Sequence, residues 1–164
     1  MKKAFLLLIM LAVLLTVGSF QGASAAGIDL SKAIVVGNGP KKVIEFTDPD
    51  CPFCRKASAY FHNRADVTRY IFFNPLKMHP NARPKAQYIL SGKDKARLYH
   101  EVMSGMVDRI DPASLPATSA GIKLQEEQQA IAHKTGIDAT PTFMIMGRIV
   151  EGFDQVKIEE LLGK

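Results

Sequence analysis

Val43-Ile44-Glu45-Phe46-Thr47-Asp48-Pro49-Asp50-Cys51-Pro52-Phe53-Cys54-Arg55-Lys56 decides how the rest of the chain is read. Val43 to Phe46 is an apolar, strand-like run. Asp48 to Asp50 is a turn. From Arg55 to Arg64 there is no Gly or Pro, and the segment reads as a helix. The only two cysteines of the 164 residues sit at C-x-x-C spacing at the start of that helix. The first turn of a helix has unpaired N–H groups and the positive end of its dipole. A thiol placed there ionises well below the free value of about 8.5. Cys51, at the cap or first position, is the exposed nucleophile of this reading. Pro52 suits a first turn because its missing N–H would be unpaired anyway. Cys54, one turn on, can reach back to close a disulfide. Arg55 and Lys56 add positive charge that favours the thiolate.

The competing reading of C-x-x-C is half of a zinc site. Structural zinc takes four protein ligands, often from two such pairs. There is no second cysteine pair, and His62, His79, His100 and His133 show no paired H-x3-5-H spacing. The redox reading is preferred and no metal site is expected.

Met1-Lys2-Lys3, the apolar run Ala4 to Val17 and the small residues around Ala23-Ser24-Ala25 read as a secretory signal peptide over residues 1–25. The apolar run is short for a membrane span, and no cysteine follows it to carry a lipid anchor. One domain is expected over 26–164, soluble, without a membrane span and located in the periplasm. The formal charge of +5 falls to about +3 once Lys2 and Lys3 are removed. That is too mild to argue for nucleic acid or a membrane surface. In an exported protein disulfides form and persist. A bridge between residues three apart closes too small a loop to stabilise folding much through chain entropy, so a cycling pair is the stronger reading.

Along the chain, Ala33 to Val36 and Lys42 to Thr47 read as strands separated by the turn Gly37-Asn38-Gly39-Pro40. Val67 to Phe73 is a third strand. Arg83 to Gly105 is helical with a break near Ser91-Gly92, and 108–121 is a loop. Ile122 to Lys134 is a helix with apolar Leu124, Ala130 and Ile131, and its Gln and Glu cluster reads as a solvated face. Phe143 to Met146 and Arg148 to Glu151 form a hairpin around Gly147, and Gln155 to Leu162 closes the chain as a helix. Glu45 interrupts the apolar run of a central strand. It reads either as an edge or solvent-facing residue or as a partly buried acid beneath the cysteines that relays protons. Asp48 and Asp50 serve the turn and helix entry.

Taken with Gly136 to Pro141 and Gly147 to Phe153, the C-x-x-C unit resembles the thioredoxin fold. It resembles more closely the catalytic domain of DsbC/DsbG-type thiol:disulfide interchange proteins. The expected fold is therefore α/β, thioredoxin-like, with a helical insertion. The resemblance implies that Cys51 attacks and Cys54 resolves, with their disulfide as the only redox group and no other cofactor. It implies that Thr140-Pro141 is a cis-proline loop beside the pair and binds an extended substrate chain. Glu45 falls where many relatives keep a buried acid. Only about 20 residues lie between the cleavage site and Lys42, too few for the dimerisation domain of the isomerases, so a monomer is expected. Phe53 stands where strongly oxidising members carry His, which predicts a less oxidising pair.

The expected activity is exchange of disulfides with cysteine-containing exported proteins, supported by a membrane thiol–disulfide electron donor or acceptor. A rival reading holds Cu(I) through the same two thiolates. It calls for a His beside the pair, for which His79 is the loop candidate. A third is a thiol reductase dedicated to cytochrome c maturation.

Overall fold

The computed structural model describes residues 27–163, so the expected signal peptide, residues 1–25, lies outside them. A 3-10 turn at Leu30–Lys32, capped by the Asp29 carboxylate, leads into β1, Ile34–Val36. β2 spans Lys41–Thr47, α1 Pro52–His62 and β3 Val67–Phe73. β2 and β3 are parallel, with α1 as the crossover between them. The sheet order is β1-β3-β2-β4-β5, where β4 is Thr142–Ile145 and β5 is Arg148–Glu151. β1, β4 and β5 run antiparallel to their neighbours. The chain therefore passes from β1 over the start of β3 to reach β2. Gly39 makes that passage possible: a Cβ there would lie 2.0 Å from the Asp66 carbonyl carbon.

Between β3 and β4 lies the helical insertion: α2, Ala82–Ser91; α3, Lys95–Met103; a 3-10 turn, Pro112–Ser114; and α4, Ser119–Lys134. α5, Gln155–Leu162, closes the fold. Side chains alternate across each strand, giving a three-layer arrangement. Val43, Phe143, Ile145 and Val150 pack on one face against Ala57 and Phe61 of α1 and Ile158 and Leu162 of α5. Ile71 and Phe73 meet Ala86 and Ile89 of α2 and Tyr99 and Val102 of α3. Phe46, Phe72 and Met144 face Ala132 of α4 and Ile137, which follows the helix.

Several elements differ from the sequence reading at their ends. α1 stops at His62, short of Arg64. β4 stops at Ile145, because Met146 and Gly147 both take positive φ (50° and 76°) in the tight turn. α4 begins three residues early. The Thr118 hydroxyl accepts the Gly121 N–H at 3.1 Å, and Gly121 is pressed against Ser91, where a Cβ would sit 2.1 Å from the hydroxyl oxygen.

The polar face expected on α4 is also wrong in part. Gln125 and Gln128 are fully buried. Gln128 accepts the Phe73 N–H at 2.9 Å and donates to the Lys32 carbonyl at 2.6 Å. Buried backbone groups at the end of a sheet need partners, and a helical glutamine supplies both a donor and an acceptor.

Candidate functional site

The end of β2 and the turn after it place both cysteines. Cys51 is the residue capping α1, with extended backbone (φ −72°, ψ 121°), and Pro52 opens the helix. Neither cysteine is bridged. Cys51, expected to be exposed, is only 3% exposed because the redox turn and the Thr140-Pro141 loop close over it. Cys54 is fully buried, and Phe53 between them is the exposed residue at 56%.

The two thiols have opposite character. A hydrogen bond from the Cys54 thiol draws the Cys51 thiol down to about 6. Burial opposes this, and the backbone N–H groups of Cys54 and Phe53 assist it. Burial, reinforced by the adjacent Cys51 thiolate, pushes Cys54 far up. One sulfur is therefore ionised near neutral pH while the other holds its proton.

From the opposite end of the sequence, Thr140-Pro141 arrives with a cis peptide bond. The Thr140 carbonyl lies 3.5 Å from Cys51 Sγ, across 89 residues of chain. The Pro141 carbonyl accepts the Gly152 N–H at 2.8 Å, which ties the loop to the end of the hairpin. The Thr140 hydroxyl is buried without a partner among the described residues.

Asp48 organises the turn more extensively than a helix-entry residue would. It is fully buried. Its Oδ1 accepts the N–H groups of Asp50 (2.8 Å) and Cys51 (3.2 Å). Oδ2 accepts the Leu76 N–H at 2.8 Å and meets His79 Nδ1 at 2.9 Å. Its own N–H donates to Cys54 Sγ at 3.4 Å. His79, the loop histidine of the copper reading, is thus engaged by a carboxylate.

Glu45 is fully buried, which removes the edge or solvent-facing reading. Its Oε2 receives Arg69 Nη1 at 2.9 Å and its Oε1 the Tyr99 hydroxyl at 3.4 Å. Arg69, from β3, lies between the Phe61 and Tyr99 rings, 5.2 Å from each centroid. Burial pushes the Tyr99 phenol up, so it stays a donor. Sequence reading missed Arg69. Its only signal was a lone cation inside the otherwise apolar strand Val67–Phe73.

The charge expected from Arg55 is largely engaged elsewhere. Its guanidinium forms a two-pronged ion pair with Asp108, with Nη2 2.8 Å from Oδ1. Lys56 lies over the Phe53 ring, 5.5 Å from its centroid.

Comparisons with known proteins agree with this architecture. The family described as thioredoxin-like domain matches residues 28–153. A probable thiol:disulfide interchange protein DsbC of Bordetella avium (strain 197N) is 27% identical over 115 residues, 70% of this chain. The match takes in 39% of that protein, so the chain spans about two fifths of the length of the curated relative it matches. Among solved structures, a disulfide interchange protein from Neisseria gonorrhoeae is 30% identical with a TM-score of 0.68, covering 84% of this chain and all of the other. The catalytic domain of Proteus mirabilis ScsC shares the fold at 21% identity and a TM-score of 0.59, covering 81% and 90% of the two chains.

Proposed function

Because the chain belongs to the thioredoxin-like domain family, we propose that it is an exported thiol:disulfide oxidoreductase of the reductase or isomerase type. Its substrates are cysteine-containing periplasmic proteins. The observation that carries this is the placement of the two thiols. Cys51 caps α1 with the Thr140 carbonyl 3.5 Å from its sulfur, and Cys54 is buried one turn on, an arrangement that favours ionisation of Cys51 over Cys54. The related proteins' printed names, thiol:disulfide interchange protein and disulfide interchange protein, support the same activity. No helix among the described residues is long and apolar enough to cross a membrane.

In the proposed cycle the Cys51 thiolate attacks one sulfur of a substrate disulfide. A Cys51–substrate disulfide forms and the other substrate sulfur leaves as thiolate. Cys54 then loses its proton and attacks Cys51. The Cys51–Cys54 disulfide closes and the second substrate thiol is released, so the substrate gains two electrons and the protein loses two. In isomerisation a different thiolate of the substrate attacks the mixed disulfide instead, so a new substrate disulfide closes and Cys51 leaves as the thiolate, with no net change of electrons. A membrane thiol–disulfide donor re-reduces the pair.

Thr140 and Pro141 give the substrate its place. The loop lies beside Cys51, and an extended substrate chain pairs with the Thr140 backbone by strand addition. Pro141 offers no N–H to compete for it. Phe53, uncharged, leaves the pair less oxidising than one with His at that position. The domain acts as a monomer in this reading.

The test is a trap. Cys54→Ala should accumulate mixed disulfides with periplasmic proteins that dissolve on reduction. Cys51→Ala should accumulate none and lose insulin-disulfide reduction entirely. Unchanged insulin reduction by Cys51→Ala would overturn the proposal. A wild-type pair with no reversible disulfide in a glutathione buffer would bring Cu(I) binding to the front.

A further inference from the structure

Arg55 immediately follows Cys54 and ties the redox turn to a residue 53 positions away. Its Nε donates to the Pro49 carbonyl at 2.7 Å, Nη2 lies 3.5 Å from Asp50 Oδ1, and both terminal nitrogens engage Asp108. Lys85 enters the same cluster from α2. Its Nζ lies 2.6 Å from Asp50 Oδ1 and 2.8 Å from Asp108 Oδ1, and its side chain is only 6% exposed. Two acids and two bases thus meet, from the redox turn, α1, α2 and the loop after α3. Their mutual hydrogen bond holds the Asp108 carboxyl below the ordinary range and the Arg55 guanidinium above it.

The placement has a consequence for the thiol. Asp50 is the neighbour of Cys51, and an uncompensated carboxylate there opposes a thiolate. Lys85 cancels that charge. Asp108 in turn balances Arg55, so two carboxylates face two cations and the cluster is neutral. Burying a lysine is unfavourable unless it is paired, and here its two partners include a residue of the redox turn itself.

We propose that Asp50, Lys85, Asp108 and Arg55 form a charge-balanced clamp by which the helical insertion positions the redox turn and sets how readily Cys51 ionises. Lys85 and Asp108 are positioning residues that act on Cys51 in opposite directions. The effect on redox equilibrium rests on the proposed function, whereas the effect on Cys51 ionisation does not. The other polar groups at the pair keep their own partners: Asp48 holds the Cys51 N–H and His79, and Lys56 lies over Phe53.

The experiment follows Cys51 ionisation in the reduced chain, from the pH dependence of its alkylation and from thiolate absorbance. Wild type, Asp108→Asn, Lys85→Met and Lys85→Arg are compared, each also equilibrated with glutathione. Asp108→Asn frees positive charge. Its half-ionisation point should fall, and its equilibrium with oxidised glutathione should shift roughly threefold toward the reduced protein. Lys85→Met should move both quantities the other way by a similar factor, and Lys85→Arg should match wild type. Shifts of the same sign in Asp108→Asn and Lys85→Met, or no shift in either, would overturn the clamp. Should Lys85→Met not fold, as judged by circular dichroism, Asp108→Asn decides alone: an unchanged or raised half-ionisation point overturns the proposal. Failure of the wild-type pair to equilibrate with glutathione would refute the redox reading and leave the titration to decide the clamp.

Discussion

One buried polar pair sits at the start of α1 and another bridges β2 and β3, and they are built to opposite ends. Cys51 and Cys54 are unequal partners: the Cys54 thiol donates to the Cys51 sulfur, and one proton serves both. Glu45 and Arg69 are equal and opposite charges, 2.9 Å apart, 0% and 3% exposed, with Tyr99 completing the contact. The first pair lies beside the Thr140-Pro141 loop, where the Thr140 carbonyl is 3.5 Å from Cys51 Sγ. The second is closed off by the Phe61 and Tyr99 rings. Buried charge is therefore not itself a sign of reactivity. What separates the pairs is whether the charge has a permanent counter-ion.

The largest effect is expected at the closed pair. Glu45→Gln leaves the Arg69 guanidinium buried without a counter-charge, and Arg69 Nη2 already lacks a partner among the described residues. Breaking one side of such a pair costs about 3–5 kcal/mol, a large part of a small domain's stability. Urea unfolding should show the loss. Replacing both residues, Glu45→Leu with Arg69→Met, should recover much of it, because no lone charge remains. Exchange activity per folded molecule should be little changed. If Glu45→Gln instead folds normally and slows exchange, Glu45 is a proton carrier and the contrast between the pairs fails.

The open pair is tested by titration. In the reduced wild type, alkylation of Cys51 should rise through a midpoint near pH 6. The lowered pKa also stabilises the reduced fold. That contribution is complete above the unfolded value of about 8.5 and is lost as pH falls through about 6. Cys54→Ala removes the first of the hydrogen bonds that lower the Cys51 pKa. The midpoint should rise by roughly one to two units, since a hydrogen bond to a charged group is worth about 1.5–3 kcal/mol. An unmoved midpoint would assign the stabilisation to the helix start and its N–H groups alone.

How much of this was readable from the sequence follows from where each partner comes from. The β2–α1 unit was legible because its residues are consecutive: an apolar run, a turn, Cys51, Pro52 and a helix free of Gly and Pro. The closing hairpin and α5 were legible for the same reason. Partners supplied from afar were not. Arg69 sits between Thr68 and Tyr70 in a strand, and nothing local says that its guanidinium meets Glu45 on the neighbouring strand. Lys85 and Asp108 look like ordinary surface charges until α2 and the loop after α3 are folded against the redox turn. Gln128 was misread because an amide on a helix favours solvent unless backbone groups need it, and here the end of the sheet does. Gln125 is buried in a side-chain network with Arg83, Gln87 and Gln129 supplied largely by α2.

Phe53 gives the smallest and finest test of the contrast. Its ring is half in solvent with Lys56 above it, while its backbone N–H helps hold the Cys51 thiolate. The side chain contributes no charge of its own. Phe53→His keeps the N–H and adds an imidazole within reach of the same sulfur. A protonated imidazole favours the thiolate, which stabilises the reduced form and makes the pair more oxidising. One charge-assisted contact corresponds to a few tens of millivolts, at about 30 mV for each 1.4 kcal/mol. The rise should be larger at pH 6 than at pH 8, because a free histidine ionises near 6.5. Potentials measured against glutathione at both pH values would show it. A uniform shift at both would mean that loss of the aromatic ring, rather than gain of charge, had altered the pair. No shift at either would place the control of Cys51 wholly with the backbone and Cys54.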